Sequence, residues 1–223
     1  MRAHWSVTKN HLEHAKPYWS YEDIGVFFLI LVLLGLVLRF LVRFHLLPRS
    51  EVTNPSGLLQ FAVVASLSLG LYLVLKFRHH QPVLQPLGWV WPRTPYIVVA
   101  LLGGLFLASG VALYLNFRSQ SQPPLGVVEL LVLGIVLGPM LEESLFRGCL
   151  LPLLAQTTGN VPAVILTAFL FALFHKPADL PHLVSFIATG LAYGWIRVIS
   201  SSTTAGALMH ATYNLALFLS AMF

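Results

Sequence analysis

Charged side chains are scarce in this chain: they make up 9% of its 223 residues, and Cys149 is its single cysteine. A soluble globular domain carries roughly 25% charged residues, so this scarcity excludes water as the main solvent. A single cysteine excludes an intrachain disulfide and leaves the redox compartment open. The formal net charge is +5, but no block of about five consecutive basic residues exists. The sequence therefore predicts no nucleic-acid partner.

Hydrophobic residues, in contrast, account for 57% of the sequence. Several apolar runs approach or reach the roughly 20 residues that a helix needs to cross a bilayer core of about 30 Å. Polar or proline-containing breaks separate the runs. The predicted spans are residues 24–38, 57–75, 96–116, 125–155, 161–174, 183–199 and 203–223. The predicted fold class is therefore all-α, a polytopic transmembrane bundle of about seven helices that forms a single membrane domain over residues 1–223.

The segments outside these spans are polar. Residues 1–21 lack the apolar stretch of a cleavable signal peptide, so we expect the first hydrophobic run to stay in the mature protein. Residues 76–95 contain four prolines and two tryptophans, a composition typical of an interfacial loop. We expect His79 and His80, which lie in this stretch, to be solvated. Basic residues divide almost evenly between alternate loops, so charge does not decide the orientation. We expect an integral, multi-pass protein of the bacterial plasma membrane.

Three ionisable residues lie close together in an otherwise apolar segment: Glu142, Glu143 and Arg147. Ionisable groups at membrane depth cost a few kcal/mol each, so they normally pair, face a cavity and mark a functional site. Positions four apart on a helix share a face, which predicts a bidentate ion pair between Glu143 and Arg147. Glu142 points about 100° away and is the predicted general base. The alternative is that both glutamates only lock helices together.

Two histidines and an asparagine complete the candidate site. His175 ends an apolar run, and His210 lies four residues before Asn214 on one helical face. Imidazole and amide groups can donate hydrogen bonds to a developing oxyanion, and an imidazole can hold an attacking water. A lone intramembrane histidine is more often a core hydrogen bonder, but two of them beside an aligned amide and an unpaired carboxylate favour catalysis.

These residues form three motifs: Glu142-Glu143-Ser-Leu-Phe-Arg147-Gly148, Phe171-x-x-x-His175 and His210-x-x-x-Asn214. In order and spacing the motifs resemble those of the CAAX protease and bacteriocin-processing family, over about residues 125–220. A glycine-rich stretch with Gly190 and Gly194 also resembles the family's helix ahead of the last motif. The spacing of these two glycines additionally predicts close helix packing.

The resemblance implies an intramembrane protease similar to the type II CAAX prenyl endopeptidases. In such an enzyme the residues matching Glu142 and His175 activate water, and those matching His210 and Asn214 bind the oxyanion. It also implies a peptide or protein substrate, either lipidated or membrane-bound, and contact with membrane lipid. The leading alternative is a non-catalytic membrane scaffold or a bacteriocin self-immunity protein of the same fold.

No cofactor is favoured, although members of the family are often labelled metalloproteases. Zinc is the alternative, with His175, His210 and either Glu142 or Glu143 as ligands. Asn214 is a poor zinc ligand and is better suited to donate to an oxyanion. We therefore expect the metal-free route.

Overall fold

The computed structural model describes residues 17, 19–46, 57–115 and 131–222. Within this part of the chain all regular secondary structure is helical, and the predicted all-α bundle is confirmed. We number the helical segments α1 Tyr21–Arg43, α2 Gly57–His79, α3 Thr94–Tyr114, α4 residues 131–158, α5 Asn160–Phe174, α6 Leu180–Ser200 and α7 Thr203–Met222. Most of the polar segment 1–21, and the start of the predicted fourth span, lie outside the described residues.

Four helices are long and apolar enough to cross a membrane, judged by length and composition. They are α1, α3, α6 and, from Ala62 to His79, most of α2. The apolar helix α5 is shorter, with 15 residues. Leu29, Val32 and Leu36 of α1 are exposed, as expected for side chains that face lipid. The protein is an integral membrane protein.

Helix α4 contains two unusually wide stretches. Leu131–Leu137 and Ser144–Leu150 are π-helical, whereas Gly138–Glu143 and Leu151–Thr158 are α-helical. A π-helix uses i→i+5 hydrogen bonds and often occurs at functional sites. The two wide stretches flank the short α-helical stretch that ends with the adjacent glutamates of the first motif. They therefore determine the direction in which those carboxylates leave the helix.

Helices α5 and α6 pack closely through the two glycines of the glycine-rich stretch. A Cβ atom on Gly190 would lie 3.0 Å from the Cα of Ala168, and one on Gly194 would lie 3.0 Å from a methyl carbon of Val164. Both distances are shorter than an ordinary van der Waals contact, so larger residues would push the helices apart. The close packing predicted for these glycines is confirmed.

The two ends of the bundle differ. At one end, the indole nitrogen of Trp19 donates to the carbonyl of Cys149 over 3.2 Å, and the backbone N–H of Thr203 donates to the carbonyl of Gly88 over 2.7 Å. We call this the loop end, because it contains the start of α1, residues 80–93 and the turn between α6 and α7. The opposite cavity end contains the end of α5 and the start of α6, where the candidate site opens.

A buried aspartate joins α1 to α2 at the loop end. Asp23 is fully buried, and its carboxylate lies 2.6 Å from Nε of Arg78 and 2.9 Å from Nε2 of His79. The prediction that His79 is solvated is therefore wrong, because its ring is in hydrogen-bond contact with the buried carboxylate. His80, in contrast, is exposed.

Candidate active site

Glu142, His175 and His210 meet at a cavity of about 480 Å³ inside the bundle. Oε2 of Glu142 lies 3.5 Å from Nε2 of His175 and 4.0 Å from Nε2 of His210. That oxygen is buried and makes no hydrogen bond to any residue that the structure describes. Three polar atoms from three helical segments thus surround one point without bonding directly to one another, and a small molecule such as water could bridge them.

The ring of His175 is held in one orientation. This residue follows the last residue of α5, and its Nδ1 lies 2.8 Å from the carbonyl oxygen of Phe171. A carbonyl can only accept, so Nδ1 carries the proton and Nε2 of the neutral ring is an acceptor. Phe186 stacks on the imidazole with 4.5 Å between ring centroids. Nε2 therefore faces Glu142 with its lone pair available.

The predicted ion pair between Glu143 and Arg147 is present, and both side chains are fully buried. Nη1 of Arg147 donates to Oε1 of Glu143 over 3.1 Å, and Nη2 donates to the carbonyl of Gly190 over 2.9 Å. The bidentate geometry predicted from the spacing is wrong, because the second arm of the guanidinium bonds to the backbone of α6. The pair therefore also ties α4 to α6.

His210 is fixed by contacts that sequence reasoning missed. Its Nδ1 lies 3.2 Å from Oε1 of Glu143, so this nitrogen donates to a carboxylate that already accepts from Arg147. Tyr193 stacks on the imidazole, with ring centroids 4.6 Å apart and an angle of 18° between the planes. The only sequence signal for Tyr193 is its place in the glycine-rich stretch, next to Gly194.

Asn214 links α7 by a hydrogen bond to the first π-helical stretch of α4. Its Nδ2 donates to the carbonyl of Gly134 over 2.6 Å. In an i→i+5 pattern this carbonyl would accept from the N–H of residue 139, but Pro139 has none. The Asn214 amide satisfies the carbonyl that the proline leaves free. One of its two N–H groups remains for the cavity, which Asn214 also lines.

Asp179 and His182 lie at the cavity end, where α6 begins. The carboxylate of Asp179 accepts from the backbone N–H of His182 over 2.9 Å and lies 2.6 Å from Nδ1 of the same residue. These hydrogen bonds, the backbone one first, hold the pKa of Asp179 below its ordinary value. His182 lines the cavity. Sequence reasoning placed Asp179 in a connection and gave no role to His182.

A zinc site is the alternative to the metal-free route. A zinc site with protein ligands usually needs three or four nitrogen, oxygen or sulfur donors about 2.0–2.3 Å from the metal. Among the residues that the structure describes, no group of three or more His, Cys, Asp or Glu side chains is arranged to hold a metal ion. The zinc alternative, with His175, His210 and either Glu142 or Glu143 as ligands, stays a prediction.

The candidate site lies inside a part of the chain that matches a family model. Residues 124–216 match the model described as Type II CAAX prenyl endopeptidase Rce1-like. No curated protein and no solved structure matches the chain. The matched residues contain all three motifs, as the resemblance over residues 125–220 predicts. Over residues 124–216, this chain is therefore similar to the type II CAAX prenyl endopeptidase Rce1-like family.

Proposed function

We propose that this protein is an intramembrane endopeptidase of the bacterial plasma membrane that hydrolyses a peptide bond in its cavity, with water activated by Glu142 and His175. The observation that carries the proposal is the convergence of one unpaired carboxylate oxygen and two imidazole nitrogens within 4.0 Å. A carboxylate without a local cation can accept a proton, and the neighbouring Arg147 is already engaged by Glu143. The family match supports a protease at the coarser level.

The first step adds water to the scissile carbonyl. Glu142 accepts one proton from the water as the water oxygen attacks the carbonyl carbon. Nε2 of His175 holds the water by accepting a hydrogen bond from its second O–H, which stays on the oxygen. The π electrons of the carbonyl move to its oxygen, which becomes an oxyanion. The N–H that remains on Asn214 is a donor for that oxyanion, and His210, the other residue that the resemblance implies at the oxyanion, lines the same cavity.

The second step breaks the peptide bond. The tetrahedral intermediate collapses, the C–N bond breaks, and the proton held by Glu142 passes to the leaving nitrogen. The products are a carboxylic acid and an amine, and the enzyme regains its carboxylate. In this scheme Glu143 and Arg147 hold His210 in place and do not contact the substrate.

The test compares wild type with Glu142→Gln, which keeps the side-chain shape but cannot accept the proton. We expect peptide cleavage to fall by at least about 100-fold with little change in thermal stability. Quantitative proteomics of membranes that contain either form should reveal a peptide or protein that accumulates uncut in the variant. Glu22→Gln is the matched control, because the side chain of Glu22 is 82% exposed and lies at the loop end.

Two outcomes would contradict the proposal. Full turnover by Glu142→Gln would remove that residue as the base. Identical membrane proteomes for wild type, Glu142→Gln and a strain without the protein would favour the non-catalytic scaffold or self-immunity alternative.

The metal-free character of the mechanism needs a separate measurement. We expect activity to survive exhaustive chelation, and elemental analysis to find no stoichiometric metal in the purified protein. One zinc per chain, lost together with activity on chelation and restored with it, would overturn this part of the proposal and leave the protease function standing.

A further inference from the structure

Tyr193 lies at the centre of the bundle with a completely buried side chain. Its ring is parallel to the imidazole of His210, meets the ring of Phe171 edge-on at 6.1 Å, and lies 5.3 Å from the guanidinium carbon of Arg147. These contacts hold the ring on several sides. The position of the hydroxyl at its tip is therefore fixed as well.

The hydroxyl of Tyr193 has no hydrogen-bond partner among the residues that the structure describes. Buried polar groups are normally hydrogen-bonded, because burial without a partner costs free energy. A phenylalanine would make the same ring contacts without that cost. The hydroxyl is therefore better explained by a partner that enters from the cavity, which Tyr193 lines.

Several other polar groups that line the cavity are already engaged within the protein. The hydroxyls of Ser185 and Thr189 donate to carbonyls of their own helix over 2.9 Å and 3.1 Å. Asn214 has used one of its two amide N–H groups on a backbone carbonyl. His210 donates its Nδ1–H to a carboxylate, so its neutral ring offers only an acceptor at Nε2. The phenolic O–H of Tyr193 is a donor that remains available.

We propose that the hydroxyl of Tyr193 donates a hydrogen bond to the carbonyl oxygen of the substrate as that oxygen becomes the oxyanion of the tetrahedral intermediate. The inference rests on the proposed protease function and adds a second donor, beside the remaining N–H of Asn214, to the oxyanion site. Because Tyr193 stacks on His210, the phenol and the imidazole are held side by side at the cavity. An oxyanion accepts a stronger hydrogen bond than a neutral carbonyl, so this contact stabilises the transition state more than bound substrate.

The experiment removes only the hydroxyl. Wild type and Tyr193→Phe are compared in proteoliposomes on an internally quenched peptide that wild type cleaves, and kcat and KM are measured separately. The thermal stability of both proteins is measured in detergent. Tyr96→Phe is the matched control, because Tyr96 is a partly buried tyrosine of α3 that is not among the residues lining the cavity.

We expect kcat of Tyr193→Phe to fall about 10- to 100-fold, with KM within about threefold of wild type. Its melting temperature should not fall, because the buried hydroxyl has no partner to lose. Tyr96→Phe should retain both kinetic constants. This combination separates a contact made in the transition state from a structural role of the phenol.

Three results would overturn the inference while leaving the protease function standing. The first is a kcat of Tyr193→Phe within about twofold of wild type. The second is a rise in KM at constant kcat, which indicates that the hydroxyl binds substrate and transition state equally well. The third is a lower melting temperature, which indicates a structural hydrogen bond. If instead wild type cleaves no peptide that Glu142→Gln leaves intact, the proposed function fails, and the inference for Tyr193 fails with it.

Discussion

Replacing Glu143 with alanine should strongly destabilise the protein. The change leaves the guanidinium of Arg147 fully buried without its carboxylate, and it removes the hydrogen-bond acceptor of His210. Breaking a buried ion pair by removing one partner costs about 3–5 kcal/mol. The carbonyl of Gly190 still accepts one N–H of the guanidinium, so we expect a loss inside this range rather than above it.

The expected loss can be measured as a melting temperature in one detergent at constant heating rate. For a chain of this size, 1 kcal/mol corresponds to about 2–4 °C, so Glu143→Ala should melt roughly 6–20 °C below wild type. The five tryptophans provide the fluorescence signal. Glu22→Ala is the control: its ion pair with Arg78 is exposed, and such pairs contribute about 0–1 kcal/mol.

A double variant tests the physical reason for the loss. Glu143→Leu combined with Arg147→Met removes both charges and leaves neither unpaired in the bundle. Replacing a buried ion pair by apolar residues of similar volume is often nearly neutral, so the double variant should melt above Glu143→Ala. The reasoning is refuted if Glu143→Ala melts within about 2 °C of wild type, or if the double variant is the less stable of the two.

Three smaller changes test other contacts. Gly206→Ala would place a Cβ atom 2.8 Å from Oε2 of Glu143, so we expect the free energy of unfolding to fall by about 1–3 kcal/mol, measured by thermal unfolding. Gly110→Ala is the control: a Cβ atom there would have no atom within 4 Å, so its stability should be close to that of wild type. Asp179 has a lowered pKa, so its charge stabilises the fold above about pH 4 and this contribution disappears as the pH falls through the folded-state pKa. The melting temperatures of wild type and Asp179→Asn should therefore converge towards pH 3, and a constant difference would contradict this. Asn214→Ala leaves a carbonyl of α4 without its donor, so it should lower melting temperature as well as kcat; a loss of kcat alone would argue against the structural bond.

Local spacing accounts for most of what could be predicted from the sequence. Helix periodicity predicts the contact between Glu143 and Arg147, and the lengths of the apolar runs predict the ends of the helices to within a few residues. The sixth span, for example, was predicted at residues 183–199 and is observed at Leu180–Ser200. Such features depend on neighbours in the chain, and the physical rules that govern them act over one or two helical turns.

Contacts between helices could not be predicted in the same way. The bond from His210 to Glu143 spans 67 residues, and the bond from Asn214 to Gly134 spans 80. Both depend on how each helix is rotated about its axis, and the π-helical stretches of α4 change that rotation for every later residue of the helix. The same limit explains why the burial of Asp23 beneath His79 was missed.

Under the proposed protease function, the opposite placement of the loop end and the cavity end links the direction of membrane insertion to the compartment that receives the cleaved peptide. Lys176 is exposed at the cavity end, just after α5, and Gln81 is exposed at the loop end. The natural cysteine, Cys149, is buried, so a cysteine introduced at either position can be labelled selectively by a thiol reagent that does not cross membranes. Cells that label Lys176→Cys from outside would release their product to the exterior, whereas cells that label Gln81→Cys from outside would retain it in the cytoplasm.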